Sequence, residues 1–109
     1  MNNQRYQKCI DACLACASTC NSCASACLRE EKVEKMKECI RLDMECATIC
    51  YAAAQLMSMN SEWAKSICKI CAEVCEACGN ECGKHEMDHC KRCAEECHRC
   101  AEECRQMAA

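Results

Sequence analysis

Cys9-Ile-Asp-Ala-Cys13-Leu-Ala-Cys16-Ala-Ser-Thr-Cys20-Asn-Ser-Cys23-Ala-Ser-Ala-Cys27 places its six cysteines at intervals of 4, 3, 4, 3 and 4 residues. Residues three and four apart lie on one face of an α-helix, so these cysteines form a single seam. A helix that faces a core normally carries Leu, Ile or Val at such positions. The stretch therefore predicts a long helix whose buried face consists of thiols.

Three further segments repeat the pattern, separated by short polar stretches. The spacing predicts helices over residues 3–28, 34–57, 61–82 and 88–107. In the second segment Asp43 stands where the period calls for a cysteine. Asn60 or Ser61 is a good N-cap for the third helix, and Gly83 suits its C-terminal end. Four helices with short connections predict an all-α fold, an antiparallel up-down-up-down four-helix bundle with a cysteine-lined core, formed by residues 1–109 as a single domain.

The composition supports an all-helical chain with an unusual interior. Among the 109 residues, Leu, Ile, Val and Phe together number only 11, which would normally indicate disorder. The chain compensates with 19 cysteines, which behave as small hydrophobes when buried, and 16 alanines, the best helix formers. It has no proline, and the β-branched and aromatic residues that sheets need are scarce.

Several partners and compartments are disfavoured by the same data. The net charge of −3 and the scattered basic residues give nucleic acid no basic stripe to bind. No apolar run approaches the ~20 residues of a membrane span. The N-terminus lacks an apolar export segment, so we expect a cytoplasmic protein, whose thiols stay reduced. No nucleophile is paired with a distinguishing base, so we do not expect an enzyme.

Metal binding explains so many aligned thiols better than packing does, because cysteine buries less apolar area than leucine. Iron–sulfur binding is disfavoured because successive x2 gaps of the C-x2-C-x2-C type do not occur. Zinc buffering, as in metallothioneins, remains an alternative, although zinc needs four converging sulfurs. Cu(I) is soft and selects thiolates. A linear S–Cu–S unit spans roughly 4.6 Å if each bond is about 2.3 Å long, which side chains at i and i+4 can reach. Eight CxxxC pairs have this spacing: 9/13, 16/20, 23/27, 46/50, 71/75, 78/82, 93/97 and 100/104.

The predicted topology also assigns side chains to the two ends of the bundle. The loops after the first and third helices lie at the same end, which would gather Met36, His85, Met87 and His89 beside the terminal cysteines. The opposite end would be plugged by larger apolar side chains, namely Tyr6, Leu56, Met57, Trp63, Ile67 and Met107. His98 is expected to face water.

The four seams of CxxxCxxC repeats, with His and Met near one end, resemble the bacterial copper storage proteins, specifically their cytosolic branch. The resemblance covers essentially the whole chain. It implies a homotetramer of four-helix bundles that serves copper storage and metal homeostasis, with many Cu(I) ions per chain. It further implies that Met36, His85, Met87 and His89 are ligands at the copper entrance, where a copper chaperone could deliver the metal. The metal ligands it implies are Cys9, Cys13, Cys16, Cys20, Cys23, Cys27, Cys39, Cys46, Cys50, Cys68, Cys71, Cys75, Cys78, Cys82, Cys90, Cys93, Cys97, Cys100 and Cys104.

Overall fold

A computed structural model describes residues 3–109, with side chains from residue 6 onward. Its four long helices are α1 (Asn3–Leu28), α2 (Lys37–Ser58), α3 (Ala64–Cys82) and α4 (Asp88–Ala108). Each helix packs against the helices that precede and follow it, and α4 packs against α1, which closes the bundle. Short connections make consecutive helices antiparallel, so the predicted all-α, up-down-up-down bundle is confirmed. The molecule is a rod of 48 × 17 × 17 Å.

The interior of this rod consists almost entirely of cysteine and alanine. All 19 cysteines are at most 1% exposed, and all are free thiols. Alanines that flank the seams, such as Ala17, Ala53 and Ala101, are fully buried beside them. Charged residues occupy the outer faces, where pairs such as Arg41 with Glu38 and Glu45 lie along the solvent side of a helix. The predicted cysteine-lined core is therefore confirmed.

The helix ends differ from the sequence prediction in detail. Before α2, residues Val33–Met36 form a 3₁₀ turn rather than α-helix. α3 begins at Ala64, three residues later than predicted, because residue 60 turns the chain with a positive φ of 53°. Ser61 still contributes near this end, since its hydroxyl accepts a hydrogen bond from the backbone N–H of Trp63 at 3.0 Å. Gly83 follows α3 with φ −65°, so it does not adopt the left-handed conformation usual for a terminating glycine.

The two ends of the bundle are closed unequally. Met36 is buried at the end formed by the 29–36 and 83–87 connections. At the opposite end Met57 and Met107 are buried, and Tyr6 and Ile67 pack partly buried against the core.

The prediction that Trp63 plugs this end is wrong. Its side chain is 63% exposed. The seam position four residues before Cys68 belongs to Ala64, which is buried. Trp63 comes one residue earlier, about 100° around the helix axis from the seam, and therefore points to solvent.

Among the helices of residues 3–109, none is long and apolar enough to cross a membrane.

A candidate metal centre lined by sulfur

The buried sulfurs are arranged as groups of four that extend along the bundle. Within each group the ligand atoms all lie within 4.8 Å of one another, and each group draws on three helices. Five such groups are Cys13/Cys71/Cys100/Cys104, Cys16/Cys46/Cys50/Cys75, Cys16/Cys20/Cys46/Cys97, Cys20/Cys78/Cys93/Cys97 and Cys23/Cys27/Cys39/Cys90. The three central groups share cysteines with one another. The outer groups are linked to them by contacts such as Cys50–Cys71 at 3.7 Å and by Asp43, which contacts Cys39, Cys78 and Cys93, so the core is connected rather than a row of separate sites.

The shortest sulfur–sulfur contacts of the described core join different helices. The Sγ atoms of Cys39 and Cys82 are 3.4 Å apart, and those of Cys20 and Cys97 are 3.6 Å apart. Within a single helix, by comparison, the i,i+4 sulfurs of Cys16 and Cys20 are separated by 4.0 Å. The CxxxC pairs predicted from the sequence all lie within single helices, because spacing along one chain segment carries no information about which residue faces it across the bundle.

These distances suit metal coordination by three sulfurs better than coordination by two. With bonds of about 2.3 Å, two sulfurs on a linear metal are roughly 4.6 Å apart, whereas sulfurs around a trigonal metal are roughly 4.0 Å apart. The Sγ separations of Cys16 from Cys46 and from Cys97 are both 3.8 Å. The core can therefore accept trigonal, thiolate-bridged metal with little movement of the helices.

Burial favours the neutral form of the thiols in the metal-free core, because a thiolate there loses its hydration. Burial and repulsion by charge on neighbouring Cys39 together raise the pKa of the Cys90 thiol to about 11. Burial also raises the pKa of Cys27. Neutral thiols pack as small apolar groups and donate weak hydrogen bonds to one another. Each metal ion that binds must therefore displace protons from the sulfurs it takes.

Asp43 is the one carboxyl group inside the described core, where it is fully buried. Its Oδ1 lies 3.2 Å from the sulfurs of both Cys78 and Cys93 and 3.5 Å from that of Cys82, all of which can donate to it. Burial, together with repulsion by charge on Cys93 and Cys78, raises the pKa of Asp43 to about 10. The carboxyl group is therefore protonated at neutral pH and fits a core of uncharged groups.

The predicted entrance residues do gather at one end, but they differ in their contact with sulfur. The Nδ1 of His89 lies 3.5 Å from the sulfur of Cys23 and 3.6 Å from that of Cys90. His85 instead pairs through Nε2 with Glu81 at 2.9 Å. It borders an outer cavity of about 300 Å³, which Met36 and Met87 also line. The structure thus places His89 against the thiols and the other three residues around the approach to them.

His98 lies on the bundle surface, as expected, with its side chain 44% exposed. Its ring covers Gly79 of α3 so closely that an added Cβ at Gly79 would meet the His98 Nε2 at 2.8 Å. The ring also faces Glu76, with Nδ1 and a carboxylate oxygen 3.6 Å apart. His98 therefore serves the packing of α3 against α4, away from the buried sulfurs.

Comparison with known proteins identifies the kind of protein to which this arrangement belongs. The family model described as Copper storage protein matches residues 2–109. The chain belongs to the copper storage protein family. This membership confirms the resemblance seen in the sequence, and it confirms the prediction that the protein is not an enzyme, since the family is one of storage proteins.

Members of the copper storage family with known structures are similar to this chain over almost its whole length. The Cu(I)-bound copper storage protein BsCsp3 is 50% identical with a TM-score of 0.93, over 96% of this chain and 99% of that one. A cytosolic copper storage protein from Streptomyces lividans, in a structure with five coppers, is 39% identical with a TM-score of 0.93, over 96% and 92% of the two chains. The uncharacterized cysteine-rich protein YhjQ of Bacillus subtilis (strain 168) is 51% identical over 70 residues, which are 64% of this chain and 65% of that protein.

Proposed function

We propose that this protein stores many Cu(I) ions as copper thiolates inside its four-helix bundle. The observation that carries the proposal is the set of 19 free, buried thiols, many of which form groups of four whose sulfurs lie within 4.8 Å of one another. Cu(I) prefers soft sulfur ligands, and thiolates can bridge successive ions in such a core. As a storage protein it binds and releases the metal without converting a substrate.

The charge of the core sets the expected capacity. Removing protons from 19 buried thiols without adding cations would be prohibitively costly. With n Cu(I) ions bound and all 19 thiols ionised, the core carries a charge of n − 19. It therefore approaches neutrality near one copper per cysteine, and we expect about 15–20 Cu(I) ions per chain at saturation.

The overlap of the sulfur groups favours copper over zinc as the stored metal. Cys16, Cys20, Cys46 and Cys97 each belong to two of the groups. Zinc takes four ligands in a tetrahedral site, so 19 thiols would serve only about four or five zinc ions. Bridged Cu(I) can instead use the same sulfur in two adjacent sites.

Anaerobic titration of the reduced protein with Cu(I), read by metal analysis and native mass spectrometry, tests the proposal. The expected end point is about 15–20 Cu(I) per chain, as the near-neutral core requires. A parallel zinc titration, expected to end near four or five, is the control. A copper end point of four or five equivalents would rule out the storage function.

The proposed metal ligands are the 19 cysteines, with Met36, His85, Met87 and His89 receiving copper at the entrance. Copper inside a cell travels bound to a carrier, so it must be passed on by ligand exchange with a copper chaperone. Neutral imidazole and thioether groups at the outer cavity can accept it before the thiols do.

The double variant H85A/H89A should load more slowly from a Cu(I)–chelator complex in stopped-flow experiments, while its final capacity stays nearly that of the parent. H98A, which removes a histidine remote from the sulfurs, is the matched control and should load at the parental rate. Equal rates for the double variant and the parent would place the entrance elsewhere.

We further propose that the protein acts in the cytosol as a homotetramer. Its similarity to the cytosolic copper storage protein of Streptomyces lividans supports the location. Exposed apolar side chains on the outer faces of α2 and α3, including Met44, Tyr51 and Ile70, support self-association. Sedimentation equilibrium of the reduced protein would test the tetramer, and a monomer throughout the concentration range would refute it.

A further inference from the structure

His89 is held between sulfur on one side of its ring and a carboxylate on the other. Its Nδ1 faces the sulfurs of Cys23 and Cys90, at 3.5 and 3.6 Å, and that of Cys27 at 4.0 Å. Its Nε2 lies 3.0 Å from Oε2 of Glu30. Both members of this hydrogen bond are partly shielded from solvent, with side-chain exposures of 19% for His89 and 34% for Glu30.

The carboxylate determines which nitrogen of the neutral ring carries the proton. An ionised carboxylate only accepts hydrogen bonds, so the Nε2 atom must be the donor and must carry the hydrogen. The Nδ1 atom is then left with its lone pair directed at the thiols of Cys23 and Cys90. An imidazole can bind a metal only through such a free lone pair, and the hydrogen bond at the other nitrogen fixes the orientation of the ring.

The backbone of Glu30 is held close to Cys27, one of the thiols that His89 contacts. It comes two residues after the end of α1, and its backbone N–H donates to the carbonyl of Cys27 at 3.2 Å. His89 lies in the first turn of α4. The Glu30–His89 hydrogen bond therefore joins the ends of α1 and α4 across the mouth of the bundle.

We propose that Glu30 is a positioning residue for copper loading. It holds His89 in the Nε2–H tautomer, with Nδ1 directed inward, so that this nitrogen can take Cu(I) and pass it to Cys23, Cys27 and Cys90. The inference rests on the proposed storage function and assigns a role to a carboxylate that never touches the metal. In the transfer, a copper–nitrogen bond is replaced by copper–sulfur bonds, the thiol proton leaves to solvent, and no electron moves.

The second histidine of the mouth shows what is particular about this arrangement. His85 also pairs through Nε2 with a carboxylate, that of Glu81. Within residues 6–109, however, its ring makes no hydrogen-bond contact with a sulfur, whereas His89 contacts three. Only for His89 does the carboxylate direct a nitrogen lone pair at the thiols.

Three variants separate positioning from charge. E30A removes the acceptor, E30Q retains an acceptor oxygen without the charge, and E31A removes a neighbouring exposed carboxylate from the same connection. Nitrogen-15 NMR of the metal-free protein reports the tautomer of His89, and stopped-flow mixing with a Cu(I)–chelator complex reports the loading rate. The saturation capacity of the parent protein, measured separately, tests storage itself and does not depend on this inference.

The expected result is that E30A loses the single Nε2–H tautomer of His89 and loads about 10-fold more slowly, the usual size of such an outer-sphere effect. E30Q should keep both the tautomer and most of the loading rate, and E31A should match the parent. Two results would overturn the proposal. The first is an E30A protein with parental tautomer and rate; the second is an E30Q protein as slow as E30A, which would show that the charge acts rather than the hydrogen bond.

Discussion

Replacing Asp43 with Asn should make the stability of the metal-free protein less dependent on pH. Asp43 is fully buried, and its pKa is raised from an ordinary carboxyl value to about 10, first by burial and then by the charges of Cys93 and Cys78. In the unfolded chain an aspartate has a pKa of about 3.9. Between these two values the folded protein holds a proton that the unfolded chain has lost. Unfolding therefore releases a proton, and the free energy of unfolding falls as the pH rises.

The size of the effect follows from the pKa difference. Each pH unit inside this window lowers the free energy of unfolding by about 1.36 kcal/mol. From pH 5 to pH 8 the loss is about 4 kcal/mol if Asp43 stays protonated in the folded protein throughout. Asn has the same shape, so its carbonyl can accept from Cys78 and Cys93 and its amide can face Cys39, whose sulfur is 3.8 Å from Oδ2. The variant has no ionisable group at this position and lacks this slope.

Guanidinium unfolding under anaerobic, reducing and metal-free conditions at pH 5 and pH 8 measures both slopes. Groups common to the two proteins cancel from the difference. Between pH 5 and pH 8 the free energy of unfolding of D43N should rise by about 4 kcal/mol relative to that of the parent. D11N, which changes an exposed aspartate of α1, is the control and should follow the parent. Parallel pH dependence of D43N and the parent would show that Asp43 ionises in the folded core, against the reasoning given above.

Three further outcomes are expected from the structure. The metal-free protein should already be fully helical, because its neutral thiols pack as small apolar groups. Copper should therefore change the far-ultraviolet circular dichroism spectrum little, and a disordered chain that folds only when metal is added would contradict this. W63A should change the free energy of unfolding by no more than about 0.5 kcal/mol, since the indole is mostly exposed, and a loss of several kcal/mol would mean that it is buried. G79A should stabilise the protein by about 1 kcal/mol through helix propensity, but only in the H98A background, because the new Cβ otherwise meets the His98 ring. A double-mutant cycle measures this, and an equal gain with His98 present and absent would rule out that contact.

Much of the fold could be predicted from the sequence because one residue type marks the buried face of every helix. Alternating intervals of four and three admit only a helix, and they identify its inward face without ambiguity. All 18 cysteines so marked are buried in the structure, and so is Cys39, which a seven-residue step separates from the next cysteine. The short connections then predict that consecutive helices are antiparallel. This topology correctly predicted that His89 lies at the same end of the bundle as Cys27.

The rest depended on contacts that periodicity does not encode. The register between helices decides that Cys39 faces Cys82 and that Asp43 lies among four sulfurs. The turn at Asn60 decides where α3 begins, and Trp63 lies outside the core because Ala64, one residue later, holds the seam position. Hydrogen bonds such as that between Glu30 and His89 join residues far apart in sequence, and neither residue type alone predicts the partner.

The distance between sulfurs on neighbouring helices is set in part by residues that cannot bind metal. Buried alanines such as Ala17, Ala53 and Ala101 let the helices approach closely, because the separation of packed helices depends on the side chains between them. Larger residues at these positions would move the helices apart and lengthen the contacts between helices, which now include 3.4 Å between Cys39 and Cys82. Bridged copper needs sulfurs within roughly 4.0 Å of each other. The same small side chains bury little apolar area, which limits the stability of the metal-free bundle. Sites that join sulfurs from several helices exist only in the folded chain, so copper favours the folded over the unfolded chain and adds stability as the core fills. The alanines therefore belong to the storage device as much as the cysteines do, since they set the sulfur spacing that lets ions share ligands.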